Sequence, residues 1–231
     1  MSNNNFLAII PARSGSERLQ DKNKLNLCGK PLISWTIEAA KRSKHINKIA
    51  VSSDDSEILK IAKESSVEII SRPDELASNT ATSIDVIKHS LEILDGYEYV
   101  ILLQPTSPLR NYRHIDESIK FLKQKNADAI ISVCETDHNP LWSNTLDRNL
   151  SMSNFIENEQ SNKRSQDLEK FYRLNGAIYI CKTKNLLEEN TFFIKKNIFA
   201  FLMDKKSSID IDDKLDFEIA TIYMSQLISE Q

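Results

Sequence analysis

A basic loop follows the first apolar run of the chain. Its residues, Pro11 to Lys24, read PARSGSERLQDKNK, and the only large apolar side chain among them is Leu19. A strand-to-helix connection commonly needs about two to six residues, so this loop is long. One glycine, two serines and four cations could hold a phosphate chain through backbone N–H groups, hydroxyls and positive charge. No phosphate-loop or dinucleotide fingerprint matches, and a solvated basic loop is the alternative. The cations are Arg13, Arg18, Lys22 and Lys24.

A pair of aspartates stands in the segment SSIDIDDKLDF, residues 207–217. In extended backbone, residues two apart face the same side. Asp210 and Asp212 therefore point together, while Ile209 and Ile211 point into the core. Two adjacent carboxylates suit Mg²⁺, which takes one or two carboxylates together with phosphate oxygens. The alternative is that an aspartate here only caps the final helix.

Two further segments place polar groups at strand ends. In LLQPTSPLR, residues 102–110, an apolar strand ends at Gln104 and is followed by two prolines that stiffen the chain. In RLNGAIYI, residues 173–180, Arg173 and Asn175 come just before a strand. Rigid polar groups at strand ends are typical of α/β active sites, although both segments could be plain turns.

The elements that must position these groups alternate along the chain. Strand-like apolar runs alternate with helix-like amphipathic runs, which predicts an α/β fold with a doubly wound parallel sheet. Ligands bind outside the carboxyl ends of such strands, where the basic loop lies. In the last helix we expect an inward face of Leu215, Ile219, Ile222 and Met224. The predicted strands are 6–10, 48–53, 67–70, 99–104, 128–134, 176–182 and 198–204, and the predicted helices are 29–43, 54–65, 82–94, 113–125 and 212–229.

The alternation stops between about 138 and 170. This stretch is polar, rich in Asn and Ser, and too long for a simple loop. We interpret it as an arm inserted into a single domain of residues 1–231, with disorder as the alternative.

Composition narrows the class of protein. The chain has 231 residues, 40% hydrophobic and 27% charged, with a net charge of −3. No overall basic field favours nucleic acid, and no apolar run reaches the length of a membrane span. The N-terminus lacks the pattern of a signal peptide. Three widely spaced cysteines, Cys28, Cys134 and Cys181, have no metal-ligand spacing. We expect a cytoplasmic protein with no nucleic-acid or membrane partner.

The motifs together resemble a known family. IIPARSGSERLQDKNKLNLCGKPLISWTIEAA, VSSDD, RPDELASNTATSI, LLQPTSPLR, NGAIYI and SIDIDDKLDF occur in this order. Together they resemble the acylneuraminate cytidylyltransferases, the CMP-sialic acid synthetases, over about residues 6–220. The resemblance implies a Rossmann-like domain with helices on both faces of a mostly parallel sheet, an arm that makes a homodimer, and the use of Mg²⁺. It also implies an enzyme that joins CTP to a nine-carbon nonulosonic acid and releases pyrophosphate.

The resemblance also assigns residues. Arg13, Lys22 and the two aspartates would be the catalytic groups, with Asp210 and Asp212 holding Mg²⁺. The expected CTP-binding residues are Ala12, Arg13, Ser16, Lys22, Asn23, Arg72 and Ser83. The expected sugar-binding residues are Gln104, Trp142, Arg164, Arg173, Asn175 and Tyr179.

One residue departs from the family pattern. Trp142 in HNPLW stands where sialic acid synthetases commonly have Lys. An indole offers an apolar face with one N–H, which favours N,N′-diacetyllegionaminic acid over N-acetylneuraminic acid, unless Trp142 only packs within the arm. Two competing interpretations of the whole chain are a CMP-Kdo synthetase and a non-catalytic nucleotide-binding module.

Overall fold

The computed structural model describes residues 5–16, 18–78, 80–153, 155–156, 164 and 167–230. In these ranges the strands are β1 (Phe6–Pro11), β2 (Asn26–Leu27), β3 (Lys30–Pro31), β4 (Lys48–Ser53), β5 (Glu68–Ser71), β6 (Tyr99–Leu102), β7 (Ala129–Glu135), β8 (Tyr172–Lys182) and β9 (Ile198–Leu202). The helices are α1 (Leu32–Arg42), α2 (Ser56–Glu64), α3 (Asp74–Ala77), α4 (Ser83–Ile93), α5 (Tyr112–Lys125), α6 (Thr183–Glu189) and α7 (Lys214–Ser229). Within the same ranges, short 3₁₀ turns lie at Lys22–Lys24, Pro140–Trp142 and Lys206–Ser208.

Seven of the strands form one sheet in the order β5-β4-β1-β6-β8-β7-β9. All its neighbouring strands run parallel except β8, which is antiparallel to both β6 and β7. The predicted α/β class and mostly parallel sheet are confirmed. Each strand predicted from an apolar run is present, because strands covered on both faces must be apolar throughout.

Strand β1 shows how both faces of the sheet are covered. Phe6, Ala8 and Ile10 pack into one core, which includes residues of α1 and α5. Leu7 and Ile9 pack into the other, which includes residues of α4. Because successive strand residues point to opposite faces, a wholly apolar strand stabilises both layers.

A third apolar cluster joins the β2–β3 hairpin to α1 and α7. The sequence predicted a helix from residue 29, but Lys30–Pro31 pairs with β2 and α1 begins at Leu32. The predicted inward face of α7 is wrong at Leu215 and Ile222, which are 64% and 59% exposed. The buried residues of α7 are Ala220 and Met224, because the helix rests on this small cluster rather than on the sheet.

The predicted arm lies between two paired strands. Glu135 at the end of β7 is paired with Tyr172 at the start of β8, so the two ends of the arm meet at the sheet. Of the arm, residues 154, 157–163 and 165–166 lie outside the described residues. Its role in dimerisation therefore stays a prediction. Across the described ranges, no helix has the length and hydropathy needed to cross a membrane.

Asp213 is the cap of α7. Its side chain accepts a hydrogen bond from the backbone N–H of Asp216, and the Asp216 side chain accepts one from the N–H of Asp213. The capping role that the sequence left open for this aspartate cluster thus belongs to Asp213, and Asp210 and Asp212 remain available for other contacts.

Asp213→Ala should lower the free energy of unfolding by about 1 kcal/mol, because it removes half of a capping box. Asp213→Asn should cost much less, since Asn is also a good N-cap. Urea unfolding of the two variants and the wild type measures the difference. Equal losses for Ala and Asn would contradict the capping role.

Candidate active site

A cleft of about 450 Å³ opens at the carboxyl ends of β1, β5 and β6. Strand β1 pairs in parallel with β6, and β1 and β5 each pair in parallel with β4. The loops that leave β1, β5 and β6 therefore meet at one edge of the sheet. The cleft is lined by Pro11, Arg13, Ser16, Arg18, Lys22, Asn23, Arg72, Ala81, Thr82, Ser83, Val86, Gln104, Pro105, Thr106, Asp210 and Asp212.

Most of the residues expected from the sequence lie together in this cleft. Nine of them line it: Arg13, Ser16, Lys22, Asn23, Arg72, Ser83, Gln104, Asp210 and Asp212. Ala12 is buried behind it, with its backbone N–H bonded to Ser52 O. Of the expected sugar-binding residues, Gln104 lines the cleft. The following do not: Trp142, Arg164, Arg173, Asn175 and Tyr179.

The basic loop and the aspartate segment contact each other directly. The Nζ of Lys22 donates to Ile211 O at 2.6 Å and lies 3.5 Å from Asp212 Oδ1. The Nη1 of Arg18 lies 3.0 Å from Asp212 Oδ2. Lys22 is the more buried of the two cations, with 13% of its side chain exposed against 72% for Arg18. Positive charge is therefore held at the same place as the carboxylate pair.

Asp210 is the buried member of the pair. Its Oδ1 atom is inaccessible and has no hydrogen-bond partner among the described residues. Burial raises the pKa of Asp210 and the charge of Asp212 raises it further, against a hydrogen bond with Thr106 and the charges of Lys22 and Arg173. A carboxylate in this setting is stabilised by a cation. Among the described residues, no group of three or more His, Cys, Asp or Glu is placed to bind a metal.

Side-chain contacts fix the start of the basic loop. The Ser14 hydroxyl and backbone N–H both donate to the carboxylate of Asp54, which follows β4. The Nδ2 of Asn23 donates to Arg13 O at 3.2 Å. Farther along, Lys24 pairs with Asp55 and Glu57 at the start of α2, and their hydrogen bonds raise its pKa. The loop is thus an ordered part of the cleft wherever it is described.

Arg72 belongs to the floor of the cleft. Its guanidinium donates to Ser52 O at 2.7 Å and to Ser52 Oγ at 3.3 Å. Burial lowers the pKa of Arg72, and the nearby charge of Asp54 opposes this shift. The buried residue is 6% exposed, so its charge is set rigidly between β4 and β5.

Helix α4 directs its N-terminus into the cleft. Ser83 is its first residue, and the preceding Thr82 forms a capping box with Asp85. Helix N-termini favour anions because their N–H groups and dipole point outward. The serine expected to touch CTP is therefore in a suitable place.

Asn175 has a different set of contacts from those expected. It is 1% exposed, its Oδ1 accepts from Ser132 Oγ at 2.6 Å, and its Nδ2 donates to Ser208 Oγ at 2.9 Å. The β7–β8 register shifts between Ile131 and Val133, so Ser132 lies in a bulge that Asn175 holds. The side chain ties β7 and β8 to the turn before Asp210, and a contact with sugar stays an unsupported prediction.

The remaining expected residues lie around the cleft. Arg173 donates to Ser208 O at 3.5 Å. Tyr179 packs edge to face against Phe193, and burial followed by the charge of Asp210 raises its pKa. Trp142 is half-buried in the 3₁₀ turn, and Arg164 is exposed between residues that are not described.

Sequence reasoning missed Thr82, Thr106 and Gly176. Thr106 lies within the LLQPTSPLR segment, yet its hydrogen bond to Asp210 joins distant parts of the chain. Gly176 has a φ of +72°, and a Cβ there would lie 2.7 Å from Gln104 Oε1 and 3.1 Å from Asp210 Oδ2. The absence of a side chain at 176 leaves room for both groups.

Gly176→Ala should destabilise the fold by about 1–2 kcal/mol through backbone strain and also displace Gln104 or Asp210. Gly96→Ala is the matched control, because Gly96 has a φ of +81° and open space around its Cβ position. Thermal unfolding and ligand binding of both variants separate strain from steric displacement. If the two variants lose stability equally and both keep wild-type binding, the close approach at 176 has no consequence.

Ser14→Ala should lower stability near pH 7 and much less at acid pH. Partial burial alone would raise the pKa of Asp54, but both Ser14 hydrogen bonds and the Arg72 charge hold it below the ordinary value of 3.8. A depressed carboxyl pKa contributes stability above pH 3.8 that is lost as the pH falls through the folded-state pKa. Urea unfolding from neutral pH to about pH 3 measures this, and a difference that grows on acidification would contradict it.

Comparison with known proteins places this chain in a family. The family model described as Cytidylyltransferase matches residues 7–227. An N-acylneuraminate cytidylyltransferase of Escherichia coli O18:K1:H7 is 40% identical over 93% of this chain and 51% of its own length. The chain thus spans about half the length of that relative. A CMP-N,N′-diacetyllegionaminic acid synthase of Legionella pneumophila is 34% identical, over 93% of this chain and 94% of its own length.

A solved structure has the same fold. It is the CMP:2-keto-3-deoxy-manno-octonic acid synthetase complexed with CTP, with a TM-score of 0.74 and 16% identity, over 96% of this chain and 99% of that one. At this identity the likeness concerns the fold alone. Because the family model covers residues 7–227 and the Legionella relative matches over 93% of this chain and 94% of its own length, the chain belongs to the cytidylyltransferase family.

Proposed function

We propose that this protein transfers a cytidylyl group from CTP to a nine-carbon nonulosonic acid, giving a CMP-sugar and pyrophosphate. The observation that carries the proposal is the cleft in which Arg13, Arg18 and Lys22 face the Asp210–Asp212 pair. Membership of the cytidylyltransferase family supports the choice of CTP as the nucleotide. The names of two relatives, which refer to N-acylneuraminate and N,N′-diacetyllegionaminic acid, support the choice of sugar.

The chemistry asked of the cleft is an in-line displacement. The anomeric hydroxyl oxygen bonds to the α-phosphorus of CTP and its proton passes to water, while the bond from that phosphorus to the bridging oxygen breaks and its electron pair leaves with the pyrophosphate. Negative charge grows on the departing pyrophosphate. Preorganised cations lower the free energy of such a transition state more than that of the ground state. Lys22 suits this task, because it is partly buried and its ammonium group is held by Ile211 O.

The carboxylate pair fits a divalent cation, which we propose to be Mg²⁺. Asp210 contributes a buried oxygen that lacks a hydrogen-bond partner among the described residues, and Asp212 contributes an exposed one. Two carboxylates are enough for Mg²⁺, whose other ligands are water and phosphate oxygens. When bound, the ion supplies charge neutralisation at the phosphates.

The sugar end of the proposal rests on the surroundings of the cleft. Gln104 and the buried Asp210 line the cleft. Tyr179 lies close enough to Asp210 that the Asp210 charge raises the pKa of Tyr179. We propose contacts of Arg164, Arg173 and Trp142 with the sugar, made in a homodimer through the arm at 138–170. Pyrophosphate release with CTP and a panel of sialic, legionaminic and pseudaminic acids tests the reaction and its substrate. No release with any of them would overturn the proposal.

Lys22→Ala should lower kcat by roughly 10²–10³-fold, because it removes a charge that acts mainly in the transition state. Lys184→Ala is the control, since Lys184 is 82% exposed on α6 and pairs only with the neighbouring Glu188 among the described residues. Steady-state pyrophosphate release at saturating substrates measures both. A wild-type kcat for Lys22→Ala would remove Lys22 from the catalytic groups.

Asp212→Asn should raise the Mg²⁺ concentration needed for half-maximal rate and lower kcat, because it removes one charge from the metal pair. Asp213→Asn is the matched control: the neighbouring residue loses the same charge but keeps its capping ability. Mg²⁺ titrations at saturating CTP compare the two variants. Superimposable curves for the two variants would contradict the proposal that Asp212 binds the metal ion.

A further inference from the structure

A second cleft, of about 400 Å³, lies between the β2–β3 hairpin, α1, the loop after β6 and α7. None of its lining residues lines the first cleft. Its volume is in the range of small-molecule sites, which are mostly apolar with a few polar groups. Apolar side chains come from α7, among them Met224 and Leu227. Nothing in the proposed transfer reaction uses this cleft.

The lining of the second cleft carries an excess of positive charge. It includes Lys30, Arg42 and Arg110 against one carboxylate, Glu38. Lys30 and Glu38 form an ion pair with each other, so the excess belongs to the two arginines. Neither arginine has an ion pair with a carboxylate in the described part of the chain.

Arg110 is the unusual member of this lining. It is 1% exposed, and its Nη2 donates to Thr36 Oγ1 at 2.8 Å and to Gln104 O at 3.2 Å. Its Nε and Nη1 atoms are buried and have no hydrogen-bond partner among the described residues. Burial lowers the pKa of Arg110 to about 9. A buried charge with unsatisfied donors is costly, and an anion would relieve that cost.

The other walls suit a flat apolar body. The Arg42 guanidinium lies over the Tyr112 ring, 4.2 Å from its centroid. Trp35 is held by its Nε1, which donates to Leu27 O at 2.9 Å, and the Lys30 ammonium group lies over its ring, 3.5 Å from the centroid. Rigid aromatic walls beside an exposed guanidinium favour a ligand with an acidic group on an apolar ring system.

We propose that the second cleft binds a small organic anion, whose acidic group is bound by the exposed Arg42 and attracted by the buried charge of Arg110, and whose apolar body packs against Trp35 and α7. Arg110 also holds the carbonyl of Gln104, a residue of the first cleft. Occupancy of one cleft therefore bears on the other. This coupling rests on the proposed function, whereas binding in the second cleft does not.

The test uses 1-anilinonaphthalene-8-sulfonate, a fluorescent organic anion with a flat apolar body, titrated into the whole chain with CTP at saturation. We expect saturable binding of one probe per chain that CTP does not displace. N-phenyl-1-naphthylamine, the same ring system without the sulfonate, should bind about tenfold more weakly, as expected for loss of a charge-assisted contact. Competition by CTP, or equal binding of the neutral compound, would overturn the proposal.

Arg42→Ala should weaken probe binding by about tenfold. Arg113→Ala is the matched control, because Arg113 also lies over the Tyr112 ring, at 5.8 Å, but does not line the cleft. Equal affinities of the two variants would overturn the site.

The coupling between the clefts is tested by the rate of pyrophosphate release. At saturating CTP the probe should change kcat of the wild type, and the same probe concentration should not change kcat of Arg42→Ala. An unchanged wild-type kcat with the probe bound would overturn the coupling alone.

Discussion

The contact between Lys22 and the 211–212 segment is the interaction on which the cleft depends. It joins residues 189 positions apart, and it lets a basic loop and an acidic segment lie side by side. Without opposite charge nearby, Asp210 and Asp212 would repel each other, and so would the cations of the loop. The sheet brings these groups within reach, because the loop leaves β1 and the aspartate segment is held to Thr106 after β6 by the Ile211 N–H.

Buried polar side chains maintain this arrangement from behind. Asn175 joins the bulge at Ser132 to the turn that contains Ser208, just ahead of Asp210. Arg110 does a similar task for Gln104, whose carbonyl it holds. Gly176 leaves the space in which Gln104 and Asp210 come together. The segment LLQPTSPLR thus supplies groups that line the cleft, Gln104 to Thr106, and also Arg110, which positions one of them, whereas RLNGAIYI supplies groups that lie behind the cleft.

Because lining and positioning residues occur in similar polar segments, residue type predicted some roles and not others. An asparagine before a strand is equally suited to bind a sugar or to satisfy a bulge, and the choice depends on what lies across the sheet from it. The prediction of the inward face of α7 was wrong for a related reason. Helical spacing identifies apolar residues on one side, but Leu215 and Ile222 are exposed because α7 rests on a small cluster beside the sheet.

The sequence by itself determined the α/β class, every strand of the main sheet and the loops that carry charge, because these depend on local hydrophobic pattern and residue type. It also determined that two aspartates share one side of an extended segment. Only the tertiary structure decided that Asp213 is the cap, that Asn175 bonds to Ser132 and Ser208, and that Thr82, Thr106 and Gly176 belong with the cleft. No pattern in the sequence predicted the second cleft either. The Asp213 cap is a local contact with Asp216, and the sequence offered more than one aspartate for it. The roles of Asn175, Thr106 and Gly176 depend on contacts between residues far apart in the chain, which no local spacing encodes.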